Sequence, residues 1–456
     1  MDRRAPAGRV HGRTRVDERE RSGPGAEQMN IVMLSWEYPP VMVGGLGRHV
    51  HALAEAQAAA GHRVTVVTRH ADGVPYEELV NGVRVVRVPE DPPVFPFATE
   101  LLSWTMAFNH ALTRAALRVA EQQPPDVVHA HDWLVAHAAA TVKHHLAVPL
   151  VATVHATEAG RHQGWLPGPT NRAIHSVEWW LTYEARRVIA CSSYMRWEVT
   201  RLFDLPPEKV DVIGNGVVLG HWDSEPEPVA AARARYAGGP GAVPPGGGPL
   251  VLFAGRLVYE KGVHDLLRAM PRLRRRHPGI RLVVAGTGTH DEQLREQART
   301  LRLGRSVTFT GYLPEEELAA LAAAADCAVV PSIYEPFGLV ALEAAAAGTP
   351  LVVADVGGLR EFVEHGITGL RFTPGDVAAL ADSVSALLSD EVLARRMSRS
   401  ARAVLAERYS WTTIAEQTVG CYRRAARQER ALLAGGVPPP PLDLRLRDGN
   451  LLAGSS

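Results

Sequence analysis

Short runs of β-branched and other apolar residues recur along the first half of the chain, separated by longer segments with helical spacing such as residues 46–60. Runs of this length are typical of buried strands, and their alternation with helices indicates a parallel sheet covered by helices. The first half is therefore predicted to form a doubly wound α/β domain. Its predicted strands are Ile31–Leu34, Val64–Thr68, Val83–Val88, Asp126–His129, Leu150–Val154 and Val188–Ala190.

The second half of the chain repeats this alternation of apolar runs and helical segments. At 456 residues the chain is longer than one hydrophobic core usually serves, so we predict an α/β protein of two doubly wound, Rossmann-like domains. Ligands of such sheets bind beyond the carboxyl ends of the strands, and two facing domains would hold a substrate in the central cleft. The predicted strands here are Leu250–Ala254, Leu282–Ala285, Val307–Thr310, Cys327–Val330 and Leu351–Val353.

Proline and glycine are concentrated in residues 223–248, which predicts a linker between the domains. Near the start of the chain, seven arginines and five acidic residues without an apolar run indicate a disordered extension. The predicted organisation is this extension at 1–28, a first domain at 29–222, the linker at 223–248, a second domain at 249–410, a helix that crosses back to brace the first domain at 411–433, and a loose tail at 434–456.

Positive and negative side chains balance at 49 Lys plus Arg and 49 Asp plus Glu, so the overall charge gives no reason to expect a nucleic-acid partner. The cysteines Cys191, Cys327 and Cys421 are far apart and odd in number, which fits reduced thiols better than a disulfide framework. No apolar stretch is long enough to span a bilayer. We therefore expect a cytoplasmic protein that binds anions through local features.

Two glutamates eight positions apart, Glu335 and Glu343, flank the start of a predicted helix. Pro336 disfavours helix at Glu335, and Gly338 permits a ligand to approach the backbone closely. Gly338 and Leu339 would offer backbone N–H groups at the helix N-terminus, where a phosphate is favoured. An isolated pair of carboxylates is usually solvated, but hydroxyl acceptors beside phosphate donors are typical of a nucleotide-sugar site.

Two basic residues, Arg256 and Lys261, follow the first predicted strand of the second domain, between Gly255 and Gly262. Both would lie at the carboxyl end of that strand and could reach one diphosphate. Charge-assisted hydrogen bonds of this kind contribute about 1.5 to 3 kcal/mol each. The alternative, two solvated surface cations, is common, but Glu335 is predicted at the corresponding end of a later strand.

Glycine turns follow two other predicted strands. Gly44 and Gly45 lie between the first strand and its helix, where their N–H groups could meet a phosphate or sugar. A tight turn between a strand and a helix needs glycine for steric reasons alone, so this signal is weak. The segment 286–288 lacks the spacing of a dinucleotide fingerprint, and we interpret it as a close-packed turn near the nucleotide.

His155 ends a predicted strand and is followed by a loop rich in side chains that bind sugars. Sugars present hydroxyl edges and apolar C–H faces, so polar groups beside an indole ring suit a carbohydrate. For one histidine alone a structural role is the usual interpretation. The candidate acceptor residues of this loop are Glu158, Arg161, His162 and Trp165.

The segment 129–133, His-Ala-His-Asp-Trp, admits a metal site because imidazole and carboxylate are metal ligands. No second pair of ligands with a recognisable spacing accompanies it. Asp132 and Trp133 are therefore interpreted as cleft residues that follow a strand, and no metal is assigned.

Taken together, Gly44-Gly45, His155, Arg256, Lys261 and the pair Glu335 and Glu343 resemble the family-4 retaining glycosyltransferases of the GT-B fold. The resemblance extends from Met29 to about Leu433. It implies an acceptor-side first domain and a second domain that binds a nucleotide sugar. It implies that Arg256 and Lys261 bind the donor diphosphate, and that Glu335 and the backbone of Phe337, Gly338 and Leu339 bind the sugar hydroxyls. It implies that Glu343 binds the ribose and that Tyr312 lies near the base. It also implies that Gly45 contacts the diphosphate or sugar, and that His155 contacts the 6-hydroxyl of the sugar and stabilises the developing charge.

Within that family, segment 129–133 is similar to one in bacterial glycogen synthases, which implies glucose transfer from ADP- or UDP-glucose to an α-glucan or related carbohydrate. Those enzymes have Lys-Thr before the glycine pair, whereas this chain has Met42 and Val43, so donor binding would depend more on the second domain. The resemblance implies that the sugar is transferred with retained configuration and without a covalent intermediate. The leaving phosphate would itself accept the proton of the attacking acceptor hydroxyl. It implies no cofactor and no metal, because two cations and helix N-termini can neutralise the diphosphate.

Three other functions are compatible with parts of this pattern. A sugar-nucleotide epimerase shares the two-domain fold but needs no acceptor, and the long loop from His155 to Trp165 argues against it. A lipid-acceptor glycosyltransferase would act at a membrane surface. A non-catalytic carbohydrate-binding relative would not need the full set of candidate catalytic residues.

Overall fold

The computed structural model describes residues 28–89, 94–238 and 247–434. Apart from Gln28 and Ala434, the predicted N-terminal extension and C-terminal tail lie outside the described residues. The strands are β1 Asn30–Leu34, β2 Arg63–Arg69, β3 Glu77–Val80, β4 Val83–Val88, β5 Val127–His131, β6 Leu150–Val154, β7 Arg187–Ala190, β8 Val210–Val212, β9 Leu250–Ala254, β10 Arg281–Ala285, β11 Val307–Gly311, β12 Cys327–Val330, β13 Leu351–Ala354 and β14 Leu370–Phe372.

The helices alternate with these strands along the chain. They are α1 Gly45–Ala59, α2 Leu101–Gln122, α3 Ala136–Leu146, α4 Glu158–Arg161, α5 Pro169–Glu184, α6 Ser193–Phe203, α7 Pro226–Ala237, α8 Val263–Arg276, α9 Asp291–Thr300, α10 Glu315–Ala324, α11 Leu339–Ala346, α12 Leu359–Phe362, α13 Val377–Ser389, α14 Glu391–Arg408 and α15 Trp411–Ala434.

The strands form two separate sheets, as predicted. The strand order is β3-β4-β2-β1-β5-β6-β7-β8 in the first sheet and β11-β10-β9-β12-β13-β14 in the second, with only β3 and β4 antiparallel among the described strands. The order reverses between β1 and β5 and between β9 and β12. These are the switch points at which doubly wound sheets bind ligands, so the loops after these four strands are the expected site.

Apolar runs predicted the central strands because both faces of a parallel sheet are covered by helices. The residues of β5, β6, β12 and β13 are buried throughout. Three strands were not predicted. β3 is an exposed edge strand, and β8 and β14 have only three residues each, so none of them shows a long apolar run.

The last helix, α15, packs against the first domain, as predicted. Its buried residues Ile414, Val419 and Tyr422 belong to the same apolar cluster as Ile31 of β1 and Val64 of β2. The chain therefore returns to the first domain after completing the second sheet.

The predicted linker 223–248 contains a helix that the proline content did not reveal. Pro226 occupies the first turn of α7, where proline is tolerated because that N–H has no intrahelical partner. Helix α7 packs against α10 of the second domain. Residues 239–246 of the predicted linker lie outside the described residues. None of the helices in the described part of the chain is both long and apolar enough to cross a membrane.

Candidate active site

Glu335 lies in the loop after β12 and is paired with Lys261 from the loop after β9. The Lys261 Nζ is 2.6 Å from Glu335 Oε2, and the hydroxyl of Ser332 donates to the same oxygen at 3.0 Å. Both side chains are largely buried, with 18% and 10% of their surface exposed. The structure thus brings these two predicted residues together at the switch point of the second sheet.

A glycine turn holds Lys261 against this loop. Gly262 has φ = 68°, and a Cβ there would lie 1.9 Å from the carbonyl oxygen of Pro331. The Ile333 N–H donates to the carbonyl of Glu260 at 2.8 Å. Only glycine satisfies both the backbone conformation and the close approach, so the position of Lys261 depends on this residue.

Arg256 also follows β9, but its side chain is 46% exposed and its Nη2 is 3.9 Å from Glu260. Desolvation lowers the pKa of Arg256, and the positive charge of Arg161 from the first domain lowers it further. The carboxylates of Glu260, Glu335 and, from the first domain, Glu37 oppose this change. Arg256 therefore lies within electrostatic range of both domains.

Glu343, on α11, is paired across the domain interface. Its Oε1 lies 2.5 Å from Nη1 of Arg48 on α1. Burial raises the pKa of Glu343, the charge of Arg48 opposes that rise, and Glu315 adds to it. A ligand hydroxyl that binds this carboxylate must share it with Arg48 or displace Arg48.

The N-terminus of α1 is occupied by an internal carboxylate. Glu37 Oε2 accepts hydrogen bonds from the N–H groups of Val43 at 2.9 Å and Gly44 at 3.0 Å. Burial raises the pKa of Glu37, and these hydrogen bonds counteract the rise. The expectation that Gly44 offers an unpaired N–H is therefore wrong for this conformation, because Glu37 already accepts its hydrogen bond.

Gly45 lies at the interface between the domains. A Cβ on Gly45 would lie 2.7 Å from Cδ1 of Leu339, the first residue of α11. The preceding residue, Gly338, has φ = 103°, a conformation that favours glycine. The two predicted glycine turns thus face each other, one from each domain.

His155 follows β6 and is held by the carboxylate that follows β5. Its backbone N–H donates to Asp132 Oδ1 at 2.7 Å, and its Nε2 is 3.2 Å from Nδ1 of His131. Asp132 has φ = 61°, which is unusual for a residue with a side chain. Desolvation raises the pKa of Asp132 to about 6, whereas burial, helped by Arg161, lowers the pKa of His155 to about 3.

Two more buried histidines, His49 and His129, accompany His131 and His155. His49 Nδ1 is 2.6 Å from Asn215 Oδ1. His129 bonds with the hydroxyls of Thr153 and, from α15, Tyr422, at 2.7 Å each. Burial lowers the pKa values of His49, His129 and His131, so these imidazoles are neutral near pH 7.

The predicted acceptor loop forms the short helix α4 and the turn after it. The Glu158 N–H donates to Glu178 at 2.8 Å, and Glu158 Oε1 accepts from Asn171 at 2.5 Å. His162 Nε2 lies 3.4 Å from Glu158, and Arg161 is half-buried. The loop is therefore held by polar contacts with Asn171 and Glu178 of α5, and Trp165 is 71% exposed.

The remaining predicted residues lie at different depths. Phe337 is buried against Gly214 and the ring of Tyr409, and Trp133 is half-buried at the start of a short turn after β5. Tyr312 follows the edge strand β11 and is 77% exposed. The predicted close-packed turn at Gly286 is observed, since a Cβ there would lie 1.9 Å from the carbonyl of Gly255.

Comparisons with known proteins decide the family. The family model described as Glycosyltransferase Family 4 matches residues 43–221, and the one described as Glycosyl transferases group 1 matches residues 242–404. A glycogen synthase of Mycobacterium tuberculosis (strain ATCC 25618 / H37Rv) is 48% identical over 413 residues, which cover 88% of this chain and 96% of that protein. This chain belongs to the family-4 glycosyltransferases. The resemblance drawn from individual motifs is confirmed.

Two further similarities extend the comparison of this glycosyltransferase. An alpha-maltose-1-phosphate synthase of the same organism is 32% identical over 412 residues, covering 87% of this chain and 99% of that protein. The solved structure of a sucrose-phosphate synthase from Thermosynechococcus elongatus is 26% identical, with a TM-score of 0.74, and the match covers 88% of this chain and all of that one. The predicted GT-B fold is confirmed.

Several residues that connect the glycosyltransferase's two domains were not singled out from the sequence. The Tyr334 hydroxyl donates to Glu198 Oε1 at 2.9 Å, and Thr157 N–H donates weakly to Tyr334 at 3.4 Å. The Ser192 hydroxyl donates to the carbonyl of Pro336 at 2.6 Å. Tyr334 adjoins Glu335 in sequence, so its place in the motif was visible, but its partners lie 136 and 177 positions away.

Proposed function

We propose that this glycosyltransferase moves a glucosyl group from ADP- or UDP-glucose to the end of an α-glucan, with retention of configuration at the anomeric carbon. The proposal rests mainly on the pairing of Lys261 with Glu335 at the switch point of the second sheet. This pair faces the first domain and lies within electrostatic range of Arg256. The 48% identity with a protein named glycogen synthase supports glucose and glucan as the substrates.

The donor would bind along the loops after β9 and β12. Arg256 and Lys261 would hold the diphosphate, where their charges stabilise the negative charge that grows on the leaving group. The backbone N–H groups from Phe337 to Leu339 and the carboxylate of Glu335 would bind the sugar hydroxyls. Glu335 already accepts from Lys261 and Ser332, which fixes its orientation before the sugar arrives.

His155 would contact the donor sugar as a neutral imidazole. With a pKa of about 3, His155 is uncharged at neutral pH and does not act as a general acid. Its role would be a hydrogen bond to the 6-hydroxyl of the sugar. Burial strongly raises the pKa of the nearby Cys191, so that side chain is a thiol and not a nucleophile. The leaving phosphate would accept the acceptor's proton, and no protein nucleophile or metal is assigned to the reaction.

The acceptor would lie on the first-domain side, against the segment that follows β6. Asp132 and Glu158 supply carboxylates for glucan hydroxyls, and Trp133 and Trp165 supply aromatic surface for sugar C–H faces. The raised pKa of Asp132, about 6, still leaves most of this carboxyl ionised at pH 7.5.

A donor and acceptor screen tests the proposal. The protein is incubated with ADP-, UDP- and GDP-hexoses, with and without linear α-glucans, in buffer with EDTA, and nucleotide release and product linkage are measured. We expect acceptor-dependent release of ADP or UDP and new α-linkages. Formation of an isomerised nucleotide sugar in the absence of an acceptor would establish an epimerase. Transfer only to glycolipid in vesicles would establish a lipid acceptor. If no donor is turned over, the proposal is refuted.

A phosphorylated acceptor is a second candidate, favoured by the 32% identity with an alpha-maltose-1-phosphate synthase. Arg161, in the acceptor loop, supplies a cation on that side of the cleft, close enough to affect Arg256. Adding glucose 1-phosphate to the screen distinguishes the two: a phosphorylated disaccharide would identify this activity, whereas elongated glucan would support the first proposal.

A further inference from the structure

Three buried histidines of the first domain converge beside the proposed sugar site. His49 comes from α1, His131 from the end of β5, and His155 from the loop after β6. One ring nitrogen from each lies within 4.8 Å of the others. The transfer reaction proposed above uses only His155, so the convergence of the other two has no role in that reaction.

Hydrogen bonds leave lone pairs available within this cluster. Asn215 Oδ1 can only accept, so His49 Nδ1 donates to it and the lone pair remains on His49 Nε2. Metal-ligating histidines are oriented in the same way, with the second ring nitrogen donating to an oxygen. His131 is fully buried, and its Nδ1 faces His155 Nε2; the tautomer that leaves the lone pair on Nδ1 carries its proton on Nε2, which has no hydrogen-bond partner in the described part of the chain.

The distances suit a transition metal. Zn–N bonds of about 2.0–2.1 Å in a tetrahedral site place two ligand nitrogens about 3.3 Å apart. His131 Nδ1 and His155 Nε2 are already 3.2 Å apart, joined by a hydrogen bond that a metal ion would replace. The ligand nitrogens all lie within 4.8 Å of one another, so the widest separation would have to shorten by about 1.5 Å when a metal binds.

We propose that His49, His131 and His155 form an inhibitory site for a divalent transition metal of the zinc class, with a fourth position open to water or a substrate hydroxyl. A metal bound to His155 Nε2 removes that nitrogen from contact with the sugar. The metal site rests on the geometry of the three histidines, while its inhibitory effect also rests on the proposed role of His155.

The first arm of the test measures metal binding without activity. Full-length protein is stripped with EDTA, dialysed and titrated with Co²⁺, and the d–d absorption of the bound ion is recorded, followed by displacement with Zn²⁺. We expect one tetrahedral or five-coordinate Co²⁺ per chain. His49→Gln and His131→Gln should each weaken binding at least tenfold, whereas His110→Gln, on the exposed side of α2, should leave it unchanged, with circular dichroism confirming that each variant is folded.

The second arm measures glucosyl transfer with and without one equivalent of Zn²⁺. In the wild type we expect Zn²⁺ to lower the transfer rate at least tenfold and EDTA to restore it. In His49→Gln and His131→Gln, we expect one equivalent of Zn²⁺ to leave the transfer rate close to that variant's own metal-free rate. Absence of stoichiometric Co²⁺ binding, or equal binding by folded His49→Gln, would refute the metal site. Stoichiometric binding without inhibition would support the site but refute the role of His155 in transfer.

Discussion

Lys261 Nζ and Glu335 Oε2 lie 2.6 Å apart although the two residues are 74 positions apart in sequence. They meet because β9 and β12 are neighbours at the switch point of the second sheet, so the loops after both strands leave the same edge. The resemblance assigned these residues separate ligands, the diphosphate and the sugar. Because they are paired, each side chain fixes the orientation of the other before the donor binds.

Lys261→Ala should lower turnover about 100-fold or more, because the variant loses a cation at the leaving diphosphate and the partner that orients Glu335. Loss of the pair should also lower the free energy of unfolding by about 1–3 kcal/mol. Steady-state kinetics and urea unfolding measure the two effects. The matched control is Arg268→Ala, whose ion pair with Asp265 is mostly exposed on the arginine side. Turnover close to the wild-type value in Lys261→Ala would refute its proposed role.

Gly262→Ala should unfold the turn that positions Lys261. The substitution places a Cβ 1.9 Å from a backbone carbonyl and also puts alanine at φ = 68°. Gly304→Ala is the control, since Gly304 has φ = 49° but no atom within 4 Å of its Cβ position. The positive φ alone should lower the free energy of unfolding of Gly304→Ala by about 1–2 kcal/mol. The added clash in Gly262→Ala should lower it by at least about 2 kcal/mol more. Equal urea midpoints for the two variants would contradict this account.

The sequence predicted the fold well because buried parallel strands have continuous apolar runs. It also placed Arg256, Lys261 and Glu335 at one edge of a sheet, since residues after parallel strands share that edge. Short or exposed elements such as β3 and β14 were missed because packing and pairing, which are not visible in a local window, decide whether they form.

The partners of the candidate residues could not be predicted in the same way. Glu343 was assigned to a ribose, and nothing in its local sequence indicates that Arg48 of the other domain lies beside it. Glu37 was missed although it follows β1 by three positions, because its use as an internal cap for α1 depends on the path of the loop. Charged contacts between distant segments depend on the relative placement of the domains, which composition and periodicity do not encode.

Tyr422→Phe tests the attachment of α15 to the first domain. The variant removes the hydroxyl that lies 2.7 Å from His129 Nδ1, so a buried ring nitrogen loses its partner. Such a loss should lower the free energy of unfolding by about 1–3 kcal/mol. Urea unfolding of Tyr183→Phe, in which the ring is 53% exposed, provides the comparison, and we expect a change below about 0.5 kcal/mol there. If both variants unfold at the same urea concentration, the hydroxyl of Tyr422 does not stabilise this interface.

Arg48→Gln tests whether the interdomain pair controls the charge of Glu343. Arg48 opposes the rise in the pKa of Glu343 that burial causes, so its removal should raise that pKa further. A carboxyl is ionised above its pKa and protonated below it. If ionised Glu343 binds the ribose hydroxyls, the donor KM of Arg48→Gln should increase as the pH falls from 8 to 6, and by a larger factor than the donor KM of the wild type.

The comparison that isolates the charge is Glu343→Gln, in which position 343 no longer titrates. Its donor KM should be raised about tenfold at every pH, and adding Arg48→Gln should introduce no new pH dependence. Kinetics at saturating acceptor separate this effect on KM from any effect on turnover. A donor KM that falls in Arg48→Gln at every pH would instead show that Arg48 competes with the ribose, and that the interdomain pair opposes donor binding.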